Sequence, residues 1–465
     1  LAAFLVLAAL SGILCRGVRG MPWDVRLHDV FFGSAGGAGP TVGALCYGAA
    51  LLAVYVLYFR LIKTFRQSRT HLGFALAVSV ALHLILAVST PSRSIDVYSY
   101  LAHGYNTGRD FHLAYVTPAY AVQGTPYGDA LATIYRTPPD VHGPTPYGPV
   151  WTYFEYFAVR LTGLHVFRGA LVLKLGTAAA SLGTAVMIWR ILAMTSPALQ
   201  AAGVVTYLYN PLILNELVAD GHNDAWMIFF VVAGLSFAVR RRLTAASFLL
   251  GLAVMTKYVP LLLFPAFLRY AWVSARARGL KDCAAGLAAG AAVFAALFAP
   301  LWAGAGGFGG VQRILGGTSA FGRLVLPAVH SPAAESALFA AALIGYLAFS
   351  ISEGWKAEDA PRLFESGACV LLSYFLFFPR EVWCWYAALP ATLLLLNPRR
   401  NVRLFAYALS IVASINSPLW SFFGRQDLAI GARVVIQDWT CAGAMIALLL
   451  VYRFLPAESA RTSQI

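Results

Sequence analysis

The chain has 465 residues, 59% of them hydrophobic and only 12% charged, with a formal net charge of +14. A soluble domain carries roughly 25% charged residues, so a soluble globular protein is excluded. The arginines are scattered in short segments between apolar runs, which excludes a nucleic-acid partner and reads as basic loops on one side of a membrane. Apolar runs of about 16 to 24 residues recur along the chain, each the length of a membrane crossing. Exposed loops and open sheet edges cannot cross lipid, so the crossings must be helices. The expected fold class is all-α, a polytopic transmembrane helix bundle forming a single integral membrane domain over residues 1–465.

In chain order, spans are expected near 1–14, 41–60, 71–90, 167–193, 199–217, 223–239, 244–256, 258–274, 281–302, 333–352, 363–378, 383–397, 402–416 and 433–454. The run Leu1 to Leu14 lacks a basic segment ahead of it, so it fits a truncated span better than a signal peptide. The six cysteines, Cys15, Cys46, Cys283, Cys369, Cys384 and Cys441, mostly fall in or beside apolar runs and form no CxxC pair. They read as small buried hydrophobes, with no metal or disulfide framework.

Orientation follows from the basic residues. Arg60, Lys63, Arg66 and Arg69, the run Arg240 to Arg242, then Arg276, Arg278 and Lys281, and Arg399, Arg400 and Arg403 all fall in short loops. With about 14 spans these loops share one face, which the positive-inside rule makes cytoplasmic. The long loops 15–40, 91–166, 303–332 and 417–432 then share the other face, and none contains lysine. Residues 91–166 form a first large extracytoplasmic loop, and 303–332 a second. Within the first, residues 150–165 are too polar for a span, with Glu155 and Arg160 mid-helix. They read as an amphipathic juxtamembrane helix at the outer interface, with 96–108 as its partner.

Four sets of residues could carry chemistry. Ionisable groups at membrane depth cost about 2.5–3.5 kcal/mol on insertion scales, so they are functional candidates. Asp96 follows a span and sits among Tyr98, Tyr100 and Tyr105. It reads either as a helix N-cap or as a general base within reach of a hydroxyl, and both can hold together. Glu216, Asp220, His222, Asn223 and Asp224 crowd nine residues at the end of another span, where Asn223 or Asp224 could cap the next helix. His222 could bind a phosphate or orient a carboxylate. Lys257 lies between two apolar half-helices broken by Pro260, and either snorkels or holds a phosphate as a point charge. Arg380, Glu381, Trp383, Trp385 and Tyr386 form either an aromatic belt or a clamp for an anionic head group. All four sets fall on the face assigned as extracytoplasmic.

Asp96-Val97-Tyr98-Ser99-Tyr100, followed by Thr145-Pro146-Tyr147-Gly148-Pro149-Val150-Trp151, resembles the first large loop of the bacterial polyprenyl-phosphomannose-dependent α-1,6-mannosyltransferases. Gly221-His222-Asn223-Asp224-Ala225 and Thr256-Lys257-Tyr258-Val259-Pro260 resemble two further signatures of that group, in register over roughly residues 71–270. One difference is Asp110-Phe111-His112-Leu113-Ala114-Tyr115 where an Asp-Pro-Tyr is expected, which bears on acceptor preference.

The resemblance implies a GT-C glycosyltransferase of the bacterial plasma membrane. It would move a hexose, mannose first, from a polyprenyl-phosphate sugar to a glycan or glycolipid acceptor on the extracytoplasmic face. By position Asp96 is the catalytic base. Lys257, His222 and Arg380 would meet the donor phosphate. Tyr98, Tyr100, Tyr147, Trp151, Asn223 and Asp224 would contact sugar or acceptor. A single displacement with inversion needs one base, no cofactor and no metal, since clamping the charge of the leaving phosphate is the main demand. A transporter or flippase for a lipid-linked sugar would instead place its polar groups near the midplane. A non-catalytic lipid-binding membrane subunit would bind without turnover.

Overall fold

The computed structural model describes residues 39–89, 91, 94, 96–135, 143–302, 332–378, 383–423 and 443. Among them the structure is helical and contains no strand. The expected spans 1–14 and 433–454 (apart from residue 443), nearly all of the loop 303–332, and Arg380 with Glu381 lie outside the described residues.

The first two helices are α1 (Gly39–Gln67) and α2 (Leu72–Val88). The expected loop 91–166 contains α3 (Asp96–Arg109), α4 (Pro126–Tyr135) and α5 (Pro149–Thr162). The long α6 (Val166–Thr195) leads to α7 (Gln200–Leu208), a π-helix (Ile213–Ala219) and α8 (Asp224–Val239). Next come α9 (Leu243–Thr256) and α10 (Phe264–Phe298). The described chain closes with α11 (Pro332–Trp355), α12 (Ala360–Phe377), α13 (Ala388–Leu395) and α14 (Arg400–Phe423).

Among the described residues four helical stretches are long and apolar enough to cross a membrane: Gly48–Gln67, Val166–Thr195, Val259–Leu301 and Ala337–Trp355. A fifth arises if the π-helix and α8, which meet at 113°, form one broken span. Val259–Leu301 covers two of the expected spans, because α10 turns at Arg276 (φ 53°, ψ −141°) and brings Gly279 against the carbonyl of Ala271.

Two expectations fail. Arg60, Lys63 and Arg66, read as loop residues, lie inside α1, which runs on to Gln67. The single span near 199–217 is broken, since α7 ends at Leu208 and Pro211 cannot donate to a continuing ladder. The Asn210 side chain takes over, accepting from the Leu212 amide at 3.0 Å and donating to Ser410 on α14 at 3.0 Å. The chain then resumes as a π-helix, a form common at functional sites. A further difference is smaller: α14 runs to Phe423, so residues 417–423 are helix rather than loop.

The bundle closes on itself where the Tyr55 hydroxyl of α1 donates to the Ser410 carbonyl of α14 at 2.7 Å. The Tyr58 hydroxyl donates to the Thr206 carbonyl of α7 at 2.9 Å. Every residue of α13 is buried, so this short helix lies inside the bundle rather than against lipid. The expected loop region 91–166 builds a second core from Val97, Tyr100, Leu101, Tyr127, Leu131 and Trp151, floored by Leu173 of α6. Tyr105 and Tyr127 stack across it at 4.7 Å.

As expected, α5 is not a span. Its 14 residues reach about 21 Å, short of a hydrocarbon core of about 30 Å. Its outward face is mixed, however. Phe157, Arg160 and Leu161 point outward, while Glu155 is buried beside Trp151, Ala158 and Val159. A carboxyl on the buried face must find its partners inside the protein.

Candidate active site

Two contacts define the ends of the bundle. Arg69 donates to the Pro197 carbonyl at 2.6 Å, joining the α1–α2 turn to the end of α6. At the opposite end Lys174 of α6 donates to the Ser89 carbonyl beyond α2. The sequence-predicted groups gather at this second end.

Asp96 opens α3, where a carboxylate suits the positive end of the helix dipole. Its amide donates to Ser94 Oγ at 3.1 Å, so the cap is serine and the Asp96 side chain is left for other partners. Asp96 Oδ2 accepts from the Tyr100 hydroxyl at 3.4 Å and lies 3.3 Å from His222 Nδ1. His222 Nε2 lies 3.9 Å from Glu216 Oε2. The imidazole is thus fully buried between two carboxylates, and it can donate to both only as imidazolium. Its ring stacks on Trp385 at 3.9 Å, and Trp385 stacks on Trp383 at 4.9 Å.

The turn that presents His222 depends on Gly221, whose φ of +75° a side chain would resist. A Cβ there would also sit 2.9 Å from Lys174 Cγ. Asn223 follows as the N-terminal flank of α8, yet its side chain makes no capping bond. Both its amide atoms are buried without a hydrogen-bond partner. Asp224 does not cap either. It forms an ion pair with Lys257 at 2.8 Å.

Lys257 is held at the end of α9, where the backbone becomes extended (φ −152°, ψ 133°). Its ammonium lies 5.3 Å from the Tyr386 ring centre and 6.0 Å from that of Tyr147. Both separations allow cation–π attraction. Tyr147 arrives because Gly148 docks on the end of α9. The Gly148 amide donates to the Thr256 carbonyl at 3.2 Å. Any Cβ on Gly148 would stand 2.0 Å from the Met255 carbonyl oxygen. Tyr147 meets Tyr100 edge-on at 5.4 Å, and Tyr100 meets Trp151 at 5.1 Å. Burial and then the Asp96 charge push the Tyr147 hydroxyl well above its usual range, so it remains a donor.

The structure therefore unites Asp96, Tyr100, Tyr147, His222, Asp224 and Lys257. Tyr98, Tyr100 and Trp151 are buried in the loop's own core, and Arg380 lies outside the described residues. Trp385, which the sequence leaves as belt or clamp, is the wall behind His222. Among the described residues no group of three or more His, Cys, Asp or Glu side chains is arranged to hold a metal ion.

Residues 2–275 match the family described as alpha-(1->6)-mannopyranosyltransferase, N-terminal domain. The chain belongs to this family. Alpha-(1->6)-mannopyranosyltransferase A of Corynebacterium glutamicum is 24% identical over 347 residues, spanning 70% of this chain and 69% of that protein. An alpha-(1->6)-mannopyranosyltransferase of Mycobacterium tuberculosis is 32% identical over 165 residues, 34% of this chain and 26% of its own length. Alpha-(1->6)-mannopyranosyltransferase A of the same organism is 30% identical over 210 residues, 44% and 38% respectively. The chain thus spans only about a quarter to two fifths of the two mycobacterial relatives.

The family region contributes Asp96, the Tyr147 loop, His222 and Lys257, whereas Trp383, Trp385 and Tyr386 come from beyond it. Sequence reasoning passes over Lys174, although a lone lysine inside an apolar run is itself a signal. It also reads Glu155 as a mark of the polar face of α5 and gives it no partner.

Proposed function

We propose that this chain is a membrane mannosyltransferase with a GT-C-like bundle of about 14 spans. It takes mannose from a polyprenyl-phosphate donor and passes it, with inversion, to a glycan or glycolipid acceptor at the extracytoplasmic face of the bacterial plasma membrane. The observation that carries the reading is a gradient from accessible to buried charge at one end of the bundle. Asp96 keeps 15% of its side chain exposed and is backed by the fully buried His222 and Glu216, with Lys257 reachable beside it at 16%. A partly accessible carboxylate supported by a buried imidazole, next to an accessible cation, suits a base working beside an anionic leaving group.

In this mechanism the Asp96 carboxylate takes the proton from an acceptor hydroxyl. The freed oxygen attacks the anomeric carbon as the bond from that carbon to the phosphate oxygen breaks. Polyprenyl phosphate leaves carrying the bonding pair, and Lys257 neutralises its growing charge, joined by Arg380. Inversion to an α-linkage requires a β-linked donor. His222, stacked on Trp385 and 3.3 Å from Asp96, backs that carboxylate and orients it. The unpartnered Asn223 amide and the Tyr147 hydroxyl offer donors and acceptors to sugar hydroxyls, since a buried amide without partners is costly unless a ligand supplies them.

The test is turnover of purified polyprenyl-phosphomannose by the detergent-solubilised protein, reading released polyprenyl phosphate and the anomeric configuration of the product. Asp96→Asn is expected to lower kcat by about 10²–10⁴. Wild-type turnover by the Asn variant removes Asp96 from the base role. Movement of intact donor across a vesicle would instead identify a transporter, and binding without release a lipid-binding subunit.

A further inference from the structure

The outer loop contains a second carboxylate–imidazole pair away from the Asp96 cluster. Glu155 of α5 and His103 of α3 are both buried, with His103 Nδ1 3.8 Å from Glu155 Oε1. The other nitrogen of His103, Nε2, donates to the Gly143 carbonyl at 3.0 Å. That carbonyl also accepts from the Ala119 amide at 3.3 Å. Gly104, next to His103, lies so close to α5 that a Cβ would be 2.3 Å from the Glu155 carbonyl oxygen. The helix that begins with Asp96 and the helix that begins after Tyr147 are thus in backbone contact at this pair.

Gly143 is one end of a short strap, Gly143-Pro144-Thr145-Pro146-Tyr147-Gly148. The other end is the Gly148 amide on Thr256, beside Lys257. Two prolines stiffen the strap, so fixing both ends fixes Tyr147 between Tyr100 and Lys257. We propose that His103 and Glu155 are positioning residues for sugar transfer: the pair anchors the Gly143 end of the strap and holds Tyr147 in register with Asp96 and Lys257. This rests on the mannosyl-transfer reading of the Asp96 site.

The electrostatics agree with the geometry. Burial pushes Glu155 up to about 7, opposed by His103 and then Trp151. Among the described residues the titratable groups that interact with it are His103, Tyr115 and Tyr147. While the pair retains a shared proton, His103 can bond Glu155 and still donate to Gly143. Once that proton is lost, a buried carboxylate faces an imidazole lone pair. For a carboxyl raised from 4.5 to about 7, the stabilisation is complete at pH values below the lower figure and is lost as pH rises through the upper one. The hold on the strap should weaken over the same window.

The experiment uses the full chain in detergent with His103→Ala, Glu155→Ala and Glu155→Gln. Hydrogen exchange of the amides in 143–148 is expected to quicken on the order of tenfold in both alanine variants, the worth of a hydrogen bond or so. Glu155→Gln, whose amide can donate to Nδ1 and leave the Nε2 proton on Gly143, should match wild type. With polyprenyl-phosphomannose and a short octyl α-mannoside as probes, the alanine variants should lose about a hundredfold in kcat. Their donor KM should stay within about twofold. Glu155→Gln should keep kcat and lose the fall in rate above about pH 7 expected of the wild type. Unchanged exchange in His103→Ala overturns the strap anchor whatever the activity. Altered exchange with wild-type kcat overturns the positioning role, and so does a Gln variant as damaged as the Ala variant. If the wild type does not turn over the donor, the transfer reading fails, and the exchange data still decide whether the pair holds the strap.

Discussion

The two ends of α9 hold ion pairs of the same chemistry and opposite character. At its C-terminal end Lys257 meets Asp224, which is almost fully buried, under the rings of Tyr147 and Tyr386. At its other end Leu243 packs near Gly279 and Ala271, and there Arg269 and Arg362 reach Glu358 at 3.3 and 2.9 Å. Arg362 and Glu358 are about half exposed, the ordinary condition of a surface pair. Water screens the second pair and side-chain entropy opposes it, so its net worth is small. In the first pair Asp224 has given up its water while Lys257 stays partly accessible, so the carboxylate depends on its cation. Charge at the site end is committed to neighbours, whereas charge at the far end is interchangeable.

The largest way to test that contrast is Lys257→Ala. It leaves Asp224 buried without its cation, and the expected cost is about 3–5 kcal/mol of stability, read as a fall in apparent Tm. Donor KM should rise as well. The double variant Lys257→Met with Asp224→Leu should recover much of the stability and none of the turnover, separating structural from functional charge.

A smaller effect is expected from Gly148→Ala. The new methyl has only backbone before it, the Met255 carbonyl, so the strap itself must shift. Overpacking of this kind costs about 1–3 kcal/mol. Turnover should fall more steeply than Tm, because Tyr147 moves with the strap. An unchanged kcat would show that Tyr147 is not held in a working position.

Arg362→Ala should do least, below about 1 kcal/mol and smaller still in high salt, with turnover unaltered. A loss comparable to Lys257→Ala would erase the distinction between the two ends.

Much of the site is readable along the chain because polar residues are conspicuous in an apolar text. Asp96, His222, Asp224 and Lys257 stand out for that reason, while the turn at Gly221 presents His222 and the docking of Gly148 on Thr256 presents Tyr147. The break after Leu208 is also signalled, by Asn210-Pro211, yet the run 199–217 reads as one span because hydropathy alone does not register a missing donor. Glu155 misleads for a different reason. Amphipathic logic puts charge on the outward face, and here Arg160 lies outward as expected while Glu155 is buried beside Trp151, Ala158 and Val159.

Composition and spacing by themselves determined that this is a helical membrane protein with its polar clusters at the ends of apolar runs, since burial of unpaired backbone and charge in lipid permits little else. Which of those groups touch was decided only in three dimensions. His222 lies between Asp96 and Glu216 against Trp385, although Asp96 and Trp385 come from distant parts of the chain. Helix packing sets such distances through the side chains between them, and no local pattern encodes them. The segment that opens with Asp96 is therefore legible as a candidate site, and its imidazole, its second carboxylate and its aromatic wall belong to the tertiary structure.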